Sequence, residues 1–193
     1  MGVDTDEEIV RVSGRSIPEI FERDGEGFFR ARESEVIARL VKTNGAILSN
    51  PAIAPAQIQP GSLDLRLATR GYRVRSGFLP EGVPVAERLE ETTLYTFDLT
   101  DGAVLERGHC YVIPLLERIA QPMPYHIRAN PKSSTGRLDL FTRLLADHSG
   151  RFERVPPEYT GPLYLEIVPR SFPVAVRTGL SLTQIRMTSA GAQ

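Results

Sequence analysis

The chain has 193 residues, of which 41% are hydrophobic, and this is enough for one folded domain with a buried core. Its 23 basic and 24 acidic residues give a net charge of −1, so the overall charge favours neither a nucleic acid polymer nor an anionic membrane as a partner. The single cysteine, Cys110, cannot form an internal disulfide, and no run of about 18 apolar residues predicts a membrane span. Because the acidic start has no apolar signal core, the sequence predicts a cytoplasmic protein.

The beginning of the chain predicts helix. Residues 1–30 are interpreted as an N-terminal arm with a short helix at 17–22, where Pro18 suits the first turn, and residues 31–193 as the main domain. A partly disordered tail is the alternative interpretation of the arm. Residues 33–43 predict a second helix that Asn44-Gly45 ends, because four apolar side chains stand at helical spacing: Val36, Ile37, Leu40 and Val41.

From residue 45 onward the pattern is typical of short strands, because apolar segments are bounded by Gly, Pro, Asn or Asp. In one of them Leu63, Leu65 and Leu67 are predicted to face one side of a sheet. One later helix is expected to start at Ser133 or Ser134 and to continue through RLDLFTRLL. Fifteen prolines argue against a helical bundle. The predicted fold class is therefore mainly β, a compact barrel or sandwich with one or two short helices.

Several familiar kinds of active site have no motif in this sequence. Zinc-dependent nucleobase deaminases use an H-x-E…P-C-x-x-C arrangement, whereas the adjacent residues His109 and Cys110 would point to opposite faces of a strand. No metal-ligating set is therefore predicted. A Walker A loop, a G-x-G-x-x-G turn and a G-x-S-x-G elbow are also missing.

Two segments carry unusual polar residues. In PKSSTGR, a turn leads into a helix start flanked by Lys132 and Arg137, a pattern that suits an anion, although an ordinary capped helix is the commoner alternative. In PLYLEIV, Tyr164 and Glu166 share one face of a predicted strand. Taken alone, Glu166 and Arg154 are each expected to be exposed surface residues.

Four segments in order resemble the dCTP deaminases, within the dUTPase-like superfamily. They are QPGSLDLRL, PKSSTGR, RVPPEYTGPLYLE and the closing FPVAVRTGLSLTQIRM. The resemblance covers roughly residues 33–188 and is greatest to the N-terminal half of a longer, two-domain bacterial form. It implies a dUTPase-like distorted β-barrel or jelly roll, also called a β-clip.

The resemblance also implies a reaction, the zinc-independent hydrolysis of dCTP to dUTP and ammonia in pyrimidine deoxynucleotide biosynthesis. Glu166, five residues after Gly161, is expected to be the catalytic carboxylate, with Ser133 and Arg137 holding the water and stabilising charge. The nucleotide is expected to contact Lys132, Ser134, Arg154, Tyr164 and Gln184. Mg²⁺ would be bound through the triphosphate, without zinc, and a homotrimer or pseudo-trimer would place the sites between subunits.

Some positions depart from the family pattern. Lys132 stands where an Arg is usual, Pro156 replaces an Asp, and the loop between Arg137 and Arg154 is longer. The chain ends soon after the last predicted strand, so a fragment or a single-domain relative is expected. A dUTP diphosphatase needs the Asp that Pro156 replaces, and Glu166 stands where it usually has an aliphatic residue. That enzyme, a bifunctional deaminase–diphosphatase and a non-catalytic nucleotide-binding half-domain remain the alternatives.

Overall fold

A computed structural model describes residues 9–11, 13–42, 45–123, 125–156 and 158–189 of the chain. After residue 16, three α-helices occur within these residues: α1 (Ile17–Lys42), α2 (Val85–Thr92) and α3 (Ser133–Arg137). The strands are β1 (Ile47–Ser49), β2 (Ile58–Gln59), β3 (Ser62–Arg66), β4 (Arg70–Val74), β5 (Thr93–Asp98), β6 (Ala103–Leu105), β7 (Cys110–Ile119), β8 (Tyr125–Pro131), β9 (Leu140–Ala146), β10 (Arg154–Val155), β11 (Gly161–Pro169), β12 (Val174–Val176) and β13 (Ser181–Ser189).

The strands form antiparallel sheets. A six-stranded sheet has the order β5-β4-β7-β11-β9, with β1 also paired to β7. A five-stranded sheet has the order β10-β8-β13-β3-β2, and β12 pairs with β6. The prediction of a mainly β fold built from short strands is therefore confirmed.

The main core is formed by the inner faces of the two larger sheets. On β3, the side chains of Leu63, Leu65 and Leu67 are completely buried, as their alternation predicts. On β11, Leu163 and Leu165 are completely buried in the same cluster. The next residues along β11, Tyr164 and Glu166, must then lie on the opposite face of the six-stranded sheet.

That opposite face is covered by α2, a helix that the sequence analysis missed. Pro84 precedes it, and Val85 and Leu89 lie four residues apart, so both side chains face the sheet and are buried. They pack in a second apolar cluster with Tyr164 and Leu145. Glu166 therefore lies on a covered face of the sheet and not on a solvent-facing one.

The helix α1 is longer than the two helices predicted at its ends. Its backbone departs from helical geometry at Gly25, which has φ 76° and ψ 170°, so it consists of two helices joined by a kink. Ile20, Ile37 and Val41 are buried. The side chains predicted at Val36 and Leu40, and the stop at Asn44, lie outside what the structure describes.

The long helix predicted from Ser133 is wrong. The helix α3 ends at Arg137, Asp139 adopts the left-handed region at φ 50°, and β9 begins at Leu140. Along its whole length β9 pairs with β11, and Leu140 and Leu144 are buried. The apolar residues of this short segment fit the helical and the strand periodicity each only in part. Pairing of β9 with β11 therefore decides its conformation.

A buried ion pair ties β3 to β7. Glu117 is completely buried; its Oε1 accepts hydrogen bonds from Arg66 Nε at 2.7 Å and Gln57 Nε2 at 2.9 Å. Its Oε2 accepts one from the backbone amide of Arg66 at 2.7 Å. Removing the guanidinium would leave a buried charge with too few donors.

We expect Arg66→Met to lower the free energy of unfolding by about 3 kcal/mol, because Glu117 loses its ionic partner. Arg118→Gln, an exposed arginine on the neighbouring strand β7, is the control and should change it by less than about 0.5 kcal/mol. Urea denaturation of the three proteins measures the difference. Equal midpoints for the wild-type and Arg66→Met proteins would contradict the assignment of this pair to stability.

Candidate active site

Glu166 is a buried carboxylate. It lies in the middle of β11 and its side chain is only 1% exposed, so the common expectation of an exposed strand residue is wrong for it. A charged group in such a place needs a specific partner, because loss of hydration is otherwise too costly.

The partner is Arg143, the residue directly opposite Glu166 on β9. Its Nε and Nη2 donate hydrogen bonds to the same oxygen, Oε1, at 2.9 and 2.5 Å. The guanidinium carbon lies 3.6 Å from the centroid of the Phe152 ring and 5.1 Å from that of Phe141. The charge of Glu166 is thus balanced by a guanidinium that aromatic rings hold in place.

The second carboxylate oxygen of Glu166 lies in a notch under Gly77. Among the described residues Oε2 has no hydrogen-bond partner, and it is buried. A Cβ on residue 77 would lie 2.5 Å from Oε2 and 2.8 Å from Arg143 Nη2, so only glycine fits this approach. A surface cavity of about 530 Å³ adjoins the notch and is lined in part by Gly77, Phe78, Arg88, Arg143 and Phe152.

The side chain of Cys110 borders the same buried environment. Burial, and next the negative charge of Glu166, raise the pKa of its thiol to about 12. The thiol is therefore neutral near pH 7.

Two of the predicted nucleotide-binding residues, Lys132 and Gln184, belong to the region of the five-stranded sheet. Lys132 follows β8 and forms an ion pair with Asp64, whose Oδ1 is buried without a partner within the described part of the chain. Gln184 on β13 pairs with Asp64 across the sheet, and its Oε1 accepts a hydrogen bond from Ser62 Oγ at 3.0 Å. The structure thus brings Lys132 and Gln184 into one polar row beside Asp64.

The remaining predicted residues of this group are exposed. Ser133, Ser134 and Arg137 are exposed on α3, which directly follows Lys132, and Arg154 is exposed on the edge strand β10. Because α3 has only five residues, it adds little helix dipole to the anion site expected there. Side chains and the backbone of a short turn would have to bind the anion. Within the described residues, no hydrogen bond or ion pair joins this group to Glu166.

Tyr164 lies near Glu166 but under α2. Its side chain is 9% exposed. Burial, followed by the charge of Asp147, raises the pKa of the phenol to about 12. Its contact with a nucleotide stays a prediction, as do the assigned roles of the other seven site residues.

Glu153, which precedes β10, is another carboxyl near Arg143 and is half-buried. Its Oε1 accepts a hydrogen bond from the Leu144 amide at 3.1 Å, and its Oε2 is buried without a partner among the described residues. Burial raises its pKa from 4.5 to about 7, against smaller opposing effects of the Leu144 amide and Arg143. Its backbone adopts the left-handed region at φ 60°, beside the Phe152 that stacks on Arg143.

The sequence analysis missed Arg143, Gly77 and Phe152. Alternation in LFTRLLA places Arg143 on the face away from the core, but only the register of β9 against β11 makes it the partner of Glu166. Nothing in the sequence marks Gly77 or Phe152, since both depend on loops that return to the sheet. In the described residues, no group of three or more His, Cys, Asp and Glu side chains could hold a metal ion.

The raised pKa of Glu153 predicts a pH dependence of stability. Between pH 4.5 and about pH 7 the folded protein binds the Glu153 proton more tightly than the unfolded chain, so this contribution to stability falls as pH rises. Glu153→Gln keeps the oxygen that accepts a hydrogen bond from the Leu144 amide. The free energy of unfolding of this variant, relative to that of the wild type, should be higher at about pH 8 than at about pH 5. Urea midpoints at the two pH values test this. If the difference between the two urea midpoints is the same at both pH values, Glu153 does not titrate between them.

Comparisons with known proteins relate two overlapping parts of the chain, residues 2–55 and 31–191, to different families. Residues 2–55 match the family described as shikimate kinase. Shikimate kinases from Ruegeria pomeroyi, Cereibacter sphaeroides and Deinococcus radiodurans are 60%, 55% and 53% identical to this chain over 47 residues. That stretch is 24% of this chain and 24% of each enzyme, so the chain spans about a quarter of the length of these relatives. The sequence analysis did not identify this likeness.

No helix in the described residues is both long enough and apolar enough to cross a membrane.

Most of the chain has another relationship. The crystal structure of 2'-deoxycytidine 5'-triphosphate deaminase from Agrobacterium tumefaciens superposes with a TM-score of 0.77 at 45% sequence identity. The alignment covers 82% of this chain and 47% of that chain, so the chain spans about half its length. The expected fold and family are thereby confirmed. Because residues 31–191 also match the corresponding family description, the chain belongs to the family of the 2'-deoxycytidine 5'-triphosphate deaminase (DCD) N-terminal domain.

Proposed function

We propose that this domain is a dCTP deaminase, which hydrolyses dCTP to dUTP and ammonia. The observation that carries the proposal is the state of Glu166, a buried carboxylate that is anchored through one oxygen and has no hydrogen-bond partner among the described residues at the other. A general base of this kind must be fixed in place and yet keep a free lone pair for the proton it accepts. Family membership supplies the substrate class, since the related Agrobacterium protein is a dCTP deaminase.

In the proposed reaction, Glu166 accepts a proton from a water molecule. The resulting hydroxide forms a bond to C4 of cytosine, and Glu166 delivers the proton to N3. When the tetrahedral centre collapses, Glu166 transfers the proton of the C4 hydroxyl to the amine, the C4–N4 bond breaks, and ammonia leaves as the C4 carbonyl forms. Ser133 and Arg137 would hold the water and stabilise the developing charge. The products balance the reactants: dCTP and water give dUTP and ammonia.

The triphosphate would lie beside the polar row of the five-stranded sheet. Lys132 and Ser134 are proposed to contact phosphate oxygens, with Arg154 and Gln184 lining the nucleotide site and Tyr164 on the side of the base. Lys132 is already paired with Asp64, which weakens its charge as seen by a ligand. Mg²⁺ would be carried by the triphosphate, since no cluster of metal-ligating side chains occurs in the described residues. When bound, it would neutralise phosphate charge.

A homotrimer or pseudo-trimer with sites between subunits is part of the proposal. Glu166 belongs to the six-stranded sheet, whereas Ser133 and Arg137 follow the five-stranded sheet. Because no hydrogen bond or ion pair joins the two groups within the described residues, a second copy or a second half would supply the missing group. The cytoplasm remains the predicted location.

One observation favours a second candidate function. Since Glu166 is 1% exposed and covered at Gly77, the domain could bind nucleotide without turning it over. No phosphoryl transfer is proposed for residues 2–55, because the likeness covers 24% of each of the three shikimate kinases named above and the chain contains no G-x-x-x-x-G-K-[ST] loop.

The deaminase proposal predicts that Glu166→Gln lowers kcat for ammonia release from dCTP by about 10³-fold or more, because the proton acceptor is lost. Glu106→Gln, which changes an exposed carboxylate distant in sequence from Glu166, should leave the rate unchanged. Ammonia release in the presence of Mg²⁺ measures both. Wild-type protein that binds dCTP without releasing ammonia would favour the second candidate, and pyrophosphate release from dUTP would favour a diphosphatase.

Sites between subunits predict complementation between inactive variants. Ser133→Ala and Glu166→Gln proteins, unfolded together and refolded as an equal mixture, should regain about a quarter of the wild-type activity in a cyclic trimer, since one intact site forms in each mixed trimer. Each variant refolded alone is the control. No gain in the mixture, with trimers present by light scattering, would place both residues in one subunit's site.

A further inference from the structure

We propose that Arg143 is a positioning residue that selects which oxygen of Glu166 carries the proton. It anchors Oε1 and leaves Oε2 as the reacting oxygen. This inference rests on the proposed deaminase function and names a residue and an atom within that site. Arg143 is not expected to touch the nucleotide's reacting atoms, so it would act through Glu166.

Both hydrogen bonds between Arg143 and Glu166 go to one carboxylate oxygen, Oε1. Arg143 Nε and Nη2 both donate to Oε1, at 2.9 and 2.5 Å. A carboxylate oxygen has about two lone-pair positions, so Oε1 has no good position left for a water proton. The two donors belong to one rigid, planar group, which a lysine ammonium does not reproduce.

The anchor is held by the fold. Arg143 and Glu166 are directly opposite residues on adjacent strands, so their backbone separation is set by the register of β9 and β11. The guanidinium lies against the Phe152 ring, with its carbon 3.6 Å from the ring centroid. Stacking restricts rotation of the planar group. Arg143 therefore limits Glu166 to a narrow range of side-chain orientations.

The other oxygen is left open to a ligand. Oε2 is buried and has no partner among the described residues, which is costly for an acceptor. The residue that approaches it is Gly77, which has no side chain to offer a donor. The missing donor matches what deamination would bring: a water O–H, and then the N3–H or the amine of the cytosine.

The surface cavity indicates how the base would reach Oε2. It is lined by both Gly77 and Arg143, so it meets the notch where the cover over Oε2 has no side chain. A small outward shift of the segment around Gly77 would connect the cavity to Oε2 while Arg143 keeps its bonds to Oε1.

Steady-state kinetics of Arg143→Lys and Arg143→Gln test the inference, with Arg118→Gln as the matched control on a neighbouring strand. Arg143→Gln should lower kcat about 10–100-fold with KM for dCTP changed by less than about twofold, because the misplaced carboxylate reacts slowly while nucleotide contacts persist. Arg143→Lys keeps the charge but loses the paired donors, so its kcat should lie between those of the wild type and Arg143→Gln. Arg118→Gln should match the wild type.

The outcomes separate this inference from the function on which it rests. Wild-type protein that releases no ammonia from dCTP overturns the proposed function and this inference with it. If the wild type is active, an unchanged or increased kcat in Arg143→Gln overturns the inference alone, and an increase would mean that Arg143 restrains Glu166. If Arg143→Gln does not fold, Arg143→Lys decides: a kcat equal to that of the wild type, or a loss confined to KM, contradicts a positioning role.

Discussion

A carboxylate buried inside a β-sheet constrains everything around it. Glu166 needs a positive partner at a fixed distance, and the register of β9 against β11 supplies Arg143 directly opposite. The guanidinium in turn needs a flat surface, which Phe152 provides from the loop before β10. The space left at Oε2 then excludes any side chain at Gly77. The strand register, the loop that carries Phe152 and the glycine at position 77 are thus all matched to one ion pair.

The two-sheet architecture separates the proposed chemistry into two halves. The six-stranded sheet presents the carboxylate on its outer, α2-covered face, while the five-stranded sheet presents the row of Lys132, Asp64 and Gln184. The main core lies between the sheets, so one domain cannot easily fold these faces onto each other. Under the proposed function, assembly would join a carboxylate from one domain to a phosphate-binding row from another.

Local patterns predicted much of this fold, and long-range pairings decided the rest. Alternation placed Leu63 in the core and Glu166 on the opposite side of its strand, because side-chain direction in a strand depends only on neighbouring residues. The segment after Arg137 was predicted as helix, yet pairing with β11 makes it a strand. Arg143 could not be predicted, since its role follows from that same pairing.

A crystal structure of the Glu166→Gln protein with dCTP and Mg²⁺ tests the proposed role of Glu166. We expect N3 or C4 of the cytosine within hydrogen-bond or van der Waals reach of the former Oε2 position, with Arg143 still bound to the Oε1 side. We also expect the phosphates beside Lys132 and Ser134 of a neighbouring copy. A cytosine bound away from residue 166, or one that displaces Arg143 to occupy its place, would contradict this role.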